Sequence, residues 1–207
     1  MINSVRGTKD ILPTEIPIWN FVEQTLRQVS NLYGFEEIRT PIMEKTEVFS
    51  RSLGAETDIV NKEMYTFLDK GGESITLRPE MTAAIVRSII QNNLLFGSNI
   101  LRLWYFGPLF RYERPQKGRL RQFYQYGAEL VGSYEPEADV EIILLANSLI
   151  HNLGISNYTL QINSIGNSNS RKVYRDALVS YLFDHKERLS KESQERLERN
   201  PLRILDS

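Results

Sequence analysis

Two long strand-like segments, Ile100–Phe110 and Arg121–Val131, flank the stretch RYERPQKGRLR, whose turn residues are Pro115 and Gly118. Strands joined by so short a connection pair antiparallel, and side chains of equal parity then share a face. With Arg114–Leu120 as the loop, Glu113 lies opposite Arg121 and Arg111 opposite Phe123. Arg111, Glu113, Arg121, Phe123, Gln125, Gly127 and Glu129 thereby gather on one surface, expected to be the open face of a sheet. The other parity, Gln122, Tyr124, Tyr126, Ala128 and Leu130, becomes more apolar toward its end.

The remaining elements alternate in type. Pro17 suits a first helical turn, followed by Trp19, Val22, Leu26, Val29 and Tyr33 at helical spacing. Pro79 opens a helix over Glu80–Gln91, and Pro136 opens one closed by Gly154, with His151 in its last turn. Further strands are expected at Glu36–Arg39, Met64–Phe67, Ser74–Leu77 and Tyr158–Asn163, with a hairpin turn at Asp69–Gly72. Residues 168–198 read as helical and increasingly charged. The fold class is α+β: an antiparallel β-sheet flanked by helices.

Composition closes several routes. The 25 Lys+Arg balance 26 Asp+Glu, so a polyanion can be held only by a local patch. With no cysteine there is no disulfide, thiolate nucleophile or Cys-ligated metal, and no protein-ligated metal is expected. Residues 1–20 hold no apolar signal core and no apolar run is long enough to span a bilayer, so no membrane partner and a cytoplasmic location are expected. His151 and His185 stand in helix-end or charged surroundings, and Trp104-Tyr105-Phe106 reads as core. No GxxxxGK[ST], GxGxxG or Ser–His–Asp spacing is present.

Two readings of the basic hairpin compete. One is a solvated loop. The other is a nucleotide site, in which arginine forks bind phosphate, Glu113 accepts from an exocyclic amine and Phe123 stacks on a base.

Longer motifs then enter. RGTKDILP at 6–13, YGFEEIRTPIMEKTEVFSRSLG at 33–54, KEMYTF at 62–67, Leu77-Arg78-Pro79-Glu80, Phe110-Arg111-x-Glu113, GRLRQFYQYGAELVG at 118–132 and NPLRILDS at 200–207 follow one another in order. Together they resemble the amino-terminal half of the histidyl-tRNA synthetase family, whose catalytic domain has the class II aminoacyl-tRNA synthetase fold. The segment 33–54 resembles motif 1, the dimer-forming motif, and 100–131 resembles motif 2, which binds ATP and the acceptor end of tRNA.

The resemblance implies a two-step ligase that takes histidine, ATP with Mg²⁺ as substrate, and tRNA(His), and that works as a homodimer through 33–54. Arg111 would contact the α-phosphate, Glu113 the adenine amine, Phe123 the adenine face and Arg119 the distal phosphates, with Arg111 and Arg119 the catalytic pair. Glu80, Thr82 and Gln125 would hold the amino and carboxylate region of histidine, and Glu129 would read its imidazole.

The family continues to motif 3 and an anticodon-binding domain, neither of which is found in residues 1–207. The chain is therefore expected to be an amino-terminal portion of the catalytic domain, incomplete in fold and poorly active alone. Rival readings are the histidine-sensing regulatory subunit of ATP phosphoribosyltransferase and a non-catalytic dimerisation or nucleotide-binding module. The loop Arg114–Arg119 argues against the sensor.

Overall fold

The computed structural model describes residues 2–53, 63–97, 100–114, 116–164 and 166–205. Gly54, Lys62, Pro115, Asp206 and Ser207, which belong to motifs named above, lie outside the described residues. The chain divides into two compact units, Met1–Tyr158 and Thr159–Ser207.

In the first unit the order is α1 (Ile16–Leu32), β1 (Glu36–Glu37), β2 (Met43–Lys45), α2 (Thr46–Leu53), β3 (Tyr65–Leu68), β4 (Ser74–Leu77), α3 (Thr82–Gln91), β5 (Leu101–Phe110), β6 (Gln122–Val131) and α4 (Pro136–Asn152). Helices flank antiparallel strand pairs, in agreement with the α+β expectation. The strands form two three-stranded sheets, ordered β1-β5-β6 and β2-β4-β3, instead of one. One pairing is parallel: β1 runs beside β5, Glu36 opposite Leu103 and Glu37 opposite Trp104. So short a strand has too few residues to reveal its direction in a sequence.

The β5–β6 hairpin organises this unit. Its even face carries Trp104, stacked on Tyr126 at 6.0 Å, and packs with Leu26 and Val29 of α1 and Leu145 and Leu149 of α4. The odd face carries Leu103, Tyr105 and Leu109, covered by Met81 and by Ile85 and Ile89 of α3. Both faces are thus lined by helices, and the face expected to be open is free only where α3 does not reach.

The register differs from expectation by two residues. Leu109 pairs with Phe123 and Phe110 with Gln122, and the Arg111 amide donates to the Arg121 carbonyl at 2.9 Å. Arg111 therefore faces Arg121, while Glu113 lies beyond the ladder. Because side chains repeat every second residue, a slip of two keeps every odd side chain on its face. The odd residues stay together on one face; their cross-strand neighbours change.

Pro108 sits inside β5 without costing a ladder bond. Odd residues of β5 point their amides at β6, so the position of Pro108 faces the other edge, where its missing N–H is not needed. On that edge Arg78 continues the sheet. Its carbonyl accepts from the Phe110 amide at 3.0 Å, and its Nε donates to the Pro108 carbonyl at 2.9 Å. Its Nη1 donates to the Thr40 carbonyl at 2.9 Å. The guanidinium is 4% exposed and meets only uncharged acceptors among the described residues. Burial pulls its pKa below the ordinary arginine value, opposed by the nearby Glu44 carboxylate. A buried charge is tolerated only when its donors are satisfied. Gly107 makes the room: a Cβ there would stand 2.6 Å from Arg78 Nη2.

In the smaller sheet Thr76 is fully buried on β4, bonded to the hydroxyls of Thr46 and Thr66 at 2.9 Å each. The β3–β4 turn forms as expected. Asp69 Oδ1 accepts from the amides of Gly71 and Glu73 at 2.8 Å, the side chain standing in for backbone acceptors.

The second unit holds α5 (Ser168–Phe183) and α6 (Lys191–Arg199), capped by the Asn167 and Ser190 side chains, around Leu182, Leu197 and Ile204. The strand expected at Tyr158–Asn163 is absent, because no neighbouring strand among the described residues takes up its backbone groups. Leu160 and Ile162 remain 52% and 72% exposed.

Candidate active site

The odd face of the hairpin brings the expected residues into two groups. At the loop end the Arg111 guanidinium lies over the Phe123 ring, 5.2 Å from its centroid, and its Nε donates to the Pro79 carbonyl at 2.9 Å. Phe123 is half-buried, packed against the α3-side core. Glu113 pairs with Arg119 at 3.6 Å; Arg119 is 67% exposed and Glu113 19%. Arg121 turns aside, stacking on Tyr112 at 4.1 Å and donating from Nε to the Glu113 carbonyl at 3.2 Å. Its amide donates to the Gly7 carbonyl at 2.7 Å, so the RGTKD segment straps the base of the loop.

Farther along the face stands a carboxylate group. Thr82 Oγ1 donates to Glu129 Oε1 at 2.8 Å, and the Tyr105 hydroxyl donates to the same oxygen at 3.1 Å. Tyr105 is opposite Gly127 in the ladder, and a Cβ on Gly127 would lie 2.3 Å from the Tyr105 hydroxyl oxygen. Only glycine lets the phenol cross the strand toward Glu129. Burial pushes the Tyr105 pKa up to about 12, opposed by the Thr82 hydroxyl and aided by the Glu129 carboxylate, so the hydroxyl stays protonated at neutral pH.

Glu80 completes the group. Its Oε1 accepts from the Ala83 amide at 3.0 Å, holding the first turn of α3. Burial raises its pKa above the usual carboxylate value, and the nearby Glu129 charge adds to the rise, while the amides of Ala83 and Thr82 oppose it. Gln125 lies between the two groups on the same face and is exposed. Residues of one parity step by roughly 7 Å along a strand, so Phe123, Gln125, Gly127 and Glu129 form a row suited to an extended ligand.

Every expected site residue among the described ones except Glu113 and Arg119 thus lies on, or beside, the odd face, and those two pair at its loop end. His151 is exposed at the end of α4, and His185 contacts the Tyr181 carbonyl within the second unit. Sequence reasoning missed Tyr105, assigned to core, and Arg78. A cross-strand Tyr opposite a Gly is the signal that finds Tyr105, but the two-residue register error set Gly127 against Gly107 and hid it. No cluster of three metal-ligating side chains occurs among the described residues.

The family profile described as Histidyl-tRNA synthetase matches residues 7–177. A histidine–tRNA ligase of Synechococcus sp. (strain JA-3-3Ab) is 54% identical over 207 residues, covering 100% of this chain and 49% of the relative. One of Halorhodospira halophila is 54% identical over 206 residues, covering 100% of this chain and 48% of its own. The apo S. aureus histidyl-tRNA synthetase superposes with a TM-score of 0.75 at 39% identity, over 100% of this chain and 49% of that one. A Bacillus halodurans protein described as an ATP phosphoribosyltransferase regulatory subunit/histidyl-tRNA synthetase superposes at 0.70 with 25% identity, over 95% of this chain and 54% of its own. The chain spans about half the length of the curated relatives it matches.

The carboxylate group carries a pH prediction. The Glu80 carboxyl titrates above the ordinary carboxylate range, and Glu129→Gln moves it down by removing a like charge, while burial keeps it above the ordinary value. Carbon-detected NMR titration of Glu-labelled protein measures both; a Glu80 titration unchanged by Glu129→Gln would refute the coupling.

Proposed function

The chain belongs to the histidyl-tRNA synthetase family, and on that premise we propose that the protein carrying it is a histidine–tRNA ligase. The observation that carries this reading is one sheet face with Arg111 at its loop end and Glu129, backed by Glu80 and Thr82, farther along it. The sensor reading has less support: its named relative is 25% identical, against 54% for the ligases.

In the first step the histidine carboxylate attacks the α-phosphorus of ATP, supplied as its Mg²⁺ complex. The bond to the bridging oxygen breaks, and pyrophosphate leaves with histidyl-adenylate formed. In the second, a hydroxyl of the 3′-terminal adenosine of tRNA(His) attacks the activated carbonyl and AMP departs. The face acts by positioning and charge, since the chemistry needs no protein nucleophile. Arg111 stabilises charge on the α-phosphate. The adenine base takes the Phe123 ring, displacing the guanidinium that rests there. Glu113 and Arg119 part as ATP binds, one toward the adenine amine and the other toward the distal phosphates. A pair so exposed on the arginine side contributes little, so separating it costs about 1 kcal/mol or less. Glu80, Thr82 and Gln125 hold the ammonium and carboxylate, and Glu129 accepts an imidazole N–H. The arriving ammonium favours the Glu80 carboxylate and opposes the rise that burial causes.

The protein works as a homodimer in the cytoplasm. An open cavity of about 950 Å³ between α2 and α3, lined by Val48, Val86 and Ile90, adjoins Glu80 and Thr82. Ile90 is 70% exposed there, as suits a face that a second copy covers. No helix of the described residues is long and apolar enough to cross a membrane.

Histidine-dependent ATP–pyrophosphate exchange by the full-length protein tests the ligase. Arg111→Ala lowers kcat by about 10²–10³-fold. Glu129→Gln raises the histidine KM by about 100-fold or more and leaves the ATP KM within about threefold. Exchange independent of histidine, or equal loss for both substrates in Glu129→Gln, would contradict the assignment. Analytical ultracentrifugation checks the dimer: a two-chain species at micromolar concentration is expected, and a monomer there would contradict it.

A further inference from the structure

Glu129 is a carboxylate with two oxygens, yet its two donors among the described residues, Thr82 Oγ1 at 2.8 Å and the Tyr105 hydroxyl at 3.1 Å, both end on Oε1. A carboxylate oxygen offers two lone pairs, so Oε1 is full. Neither donor goes to Oε2. We propose that Tyr105 is a positioning and specificity residue, which with Thr82 turns Glu129 into a single acceptor that takes one ligand N–H and refuses a two-pronged donor.

The inference rests on the assignment of Glu129 to the imidazole. An imidazole edge presents one N–H in a given direction, and one free oxygen satisfies it. A guanidinium presents two parallel N–H groups that match both oxygens of an open carboxylate. With Oε1 occupied, that fork forms only one of its two bonds and leaves the other donor unmatched in the site. Arginine, amidines and other forked cations are therefore rejected by how Glu129 is bonded, in addition to any limit of pocket size.

The placement of Tyr105 is specified by the strand pair. It stands opposite Gly127 and diagonal to Glu129, within the reach of an aromatic side chain. Its ring is 5% exposed among the α3-side residues Met81, Ile85 and Leu109, which fixes the hydroxyl. Gly127 supplies the path. The Tyr–Gly pair and Thr82 together are the device; Glu129 alone would read both kinds of ligand.

The test uses the full-length protein in histidine-dependent ATP–pyrophosphate exchange, with L-arginine as the competing probe. Tyr105→Phe keeps the ring over Gly127 and deletes one donor to Oε1. It is expected to raise the histidine KM by about tenfold, leave the ATP KM within about twofold, and strengthen arginine inhibition relative to histidine by about tenfold. The unchanged ATP KM shows that the variant is folded. A proportional rise in both substrate KM values, with the arginine ratio unmoved, would make Tyr105 merely structural and overturn the proposal. If Tyr105→Phe changes nothing while Glu129→Gln raises the histidine KM, the proposal falls and the Glu129 assignment stands. If neither variant moves the histidine KM, the assignment itself falls, and the proposal with it.

Discussion

The pairing of β5 with β6 is the constraint on which the first unit depends. Ten consecutive residue pairs, from Leu101 opposite Val131 to Phe110 opposite Gln122, hold two chemically different faces back to back. The even face spends its aromatic surface on α1 and α4, and the odd face packs under α3 only over part of its length. Fully burying a side chain such as Leu109 contributes on the order of 2 kcal/mol. A one-residue slip of β5 would turn Trp104 away from Leu145 and the α1–α4 side and carry Arg111 to that side, apart from Glu129 on β6. The same apolar packing that stabilises the hairpin therefore specifies which residues are presented for chemistry.

A second tie sets the angle at which those residues are presented. The peptide chain at Arg78–Pro79 is gripped from three directions: the Arg78 guanidinium by Thr40 and Pro108, the Arg78 carbonyl by Phe110, and the Pro79 carbonyl by Arg111. Segment 40–41, strand β5 and the Arg111 guanidinium share that one rigid point. Glu80, the next residue, accepts from the Ala83 amide and so ties the first turn of α3 to it. The buried charge of Arg78 is expensive in a nonpolar interior, and its hydrogen bonds to carbonyls offset the cost only while all of these segments stay in place. The proposed phosphate and histidine groups are thereby linked through backbone, which rigid pre-organisation of a site requires.

Much of this was legible in the residues themselves. The alternation from Arg121 to Val131 and the Asp69–Gly72 turn announce two hairpins, because side-chain period and turn chemistry are local properties. Motif order along the chain pointed to the family. What escaped depended on distant partners. The parallel partnership of Glu36–Glu37 with β5, the short β2 and the split into two sheets are decided by neighbours far off in the chain. Tyr158–Asn163 has the pattern of a strand, but a strand exists only beside another. Tyr105 looked like core and is core by burial, yet its hydroxyl emerges at Glu129 because residue 127 is glycine. Gly107 and Arg78 are likewise readable only as a pair, one providing the space that the other fills.

The central claim is that the odd face of the β5–β6 hairpin is the reaction surface. A crystal structure of the full-length protein with a non-hydrolysable histidyl-adenylate analogue addresses it directly. The account predicts a ligand stretched along that face, its imidazole at Glu129, its phosphate mimic within hydrogen-bond distance of Arg111 and its adenine on the Phe123 ring. An analogue bound away from the odd face, or one lying on it with the imidazole toward Arg111, would contradict the account.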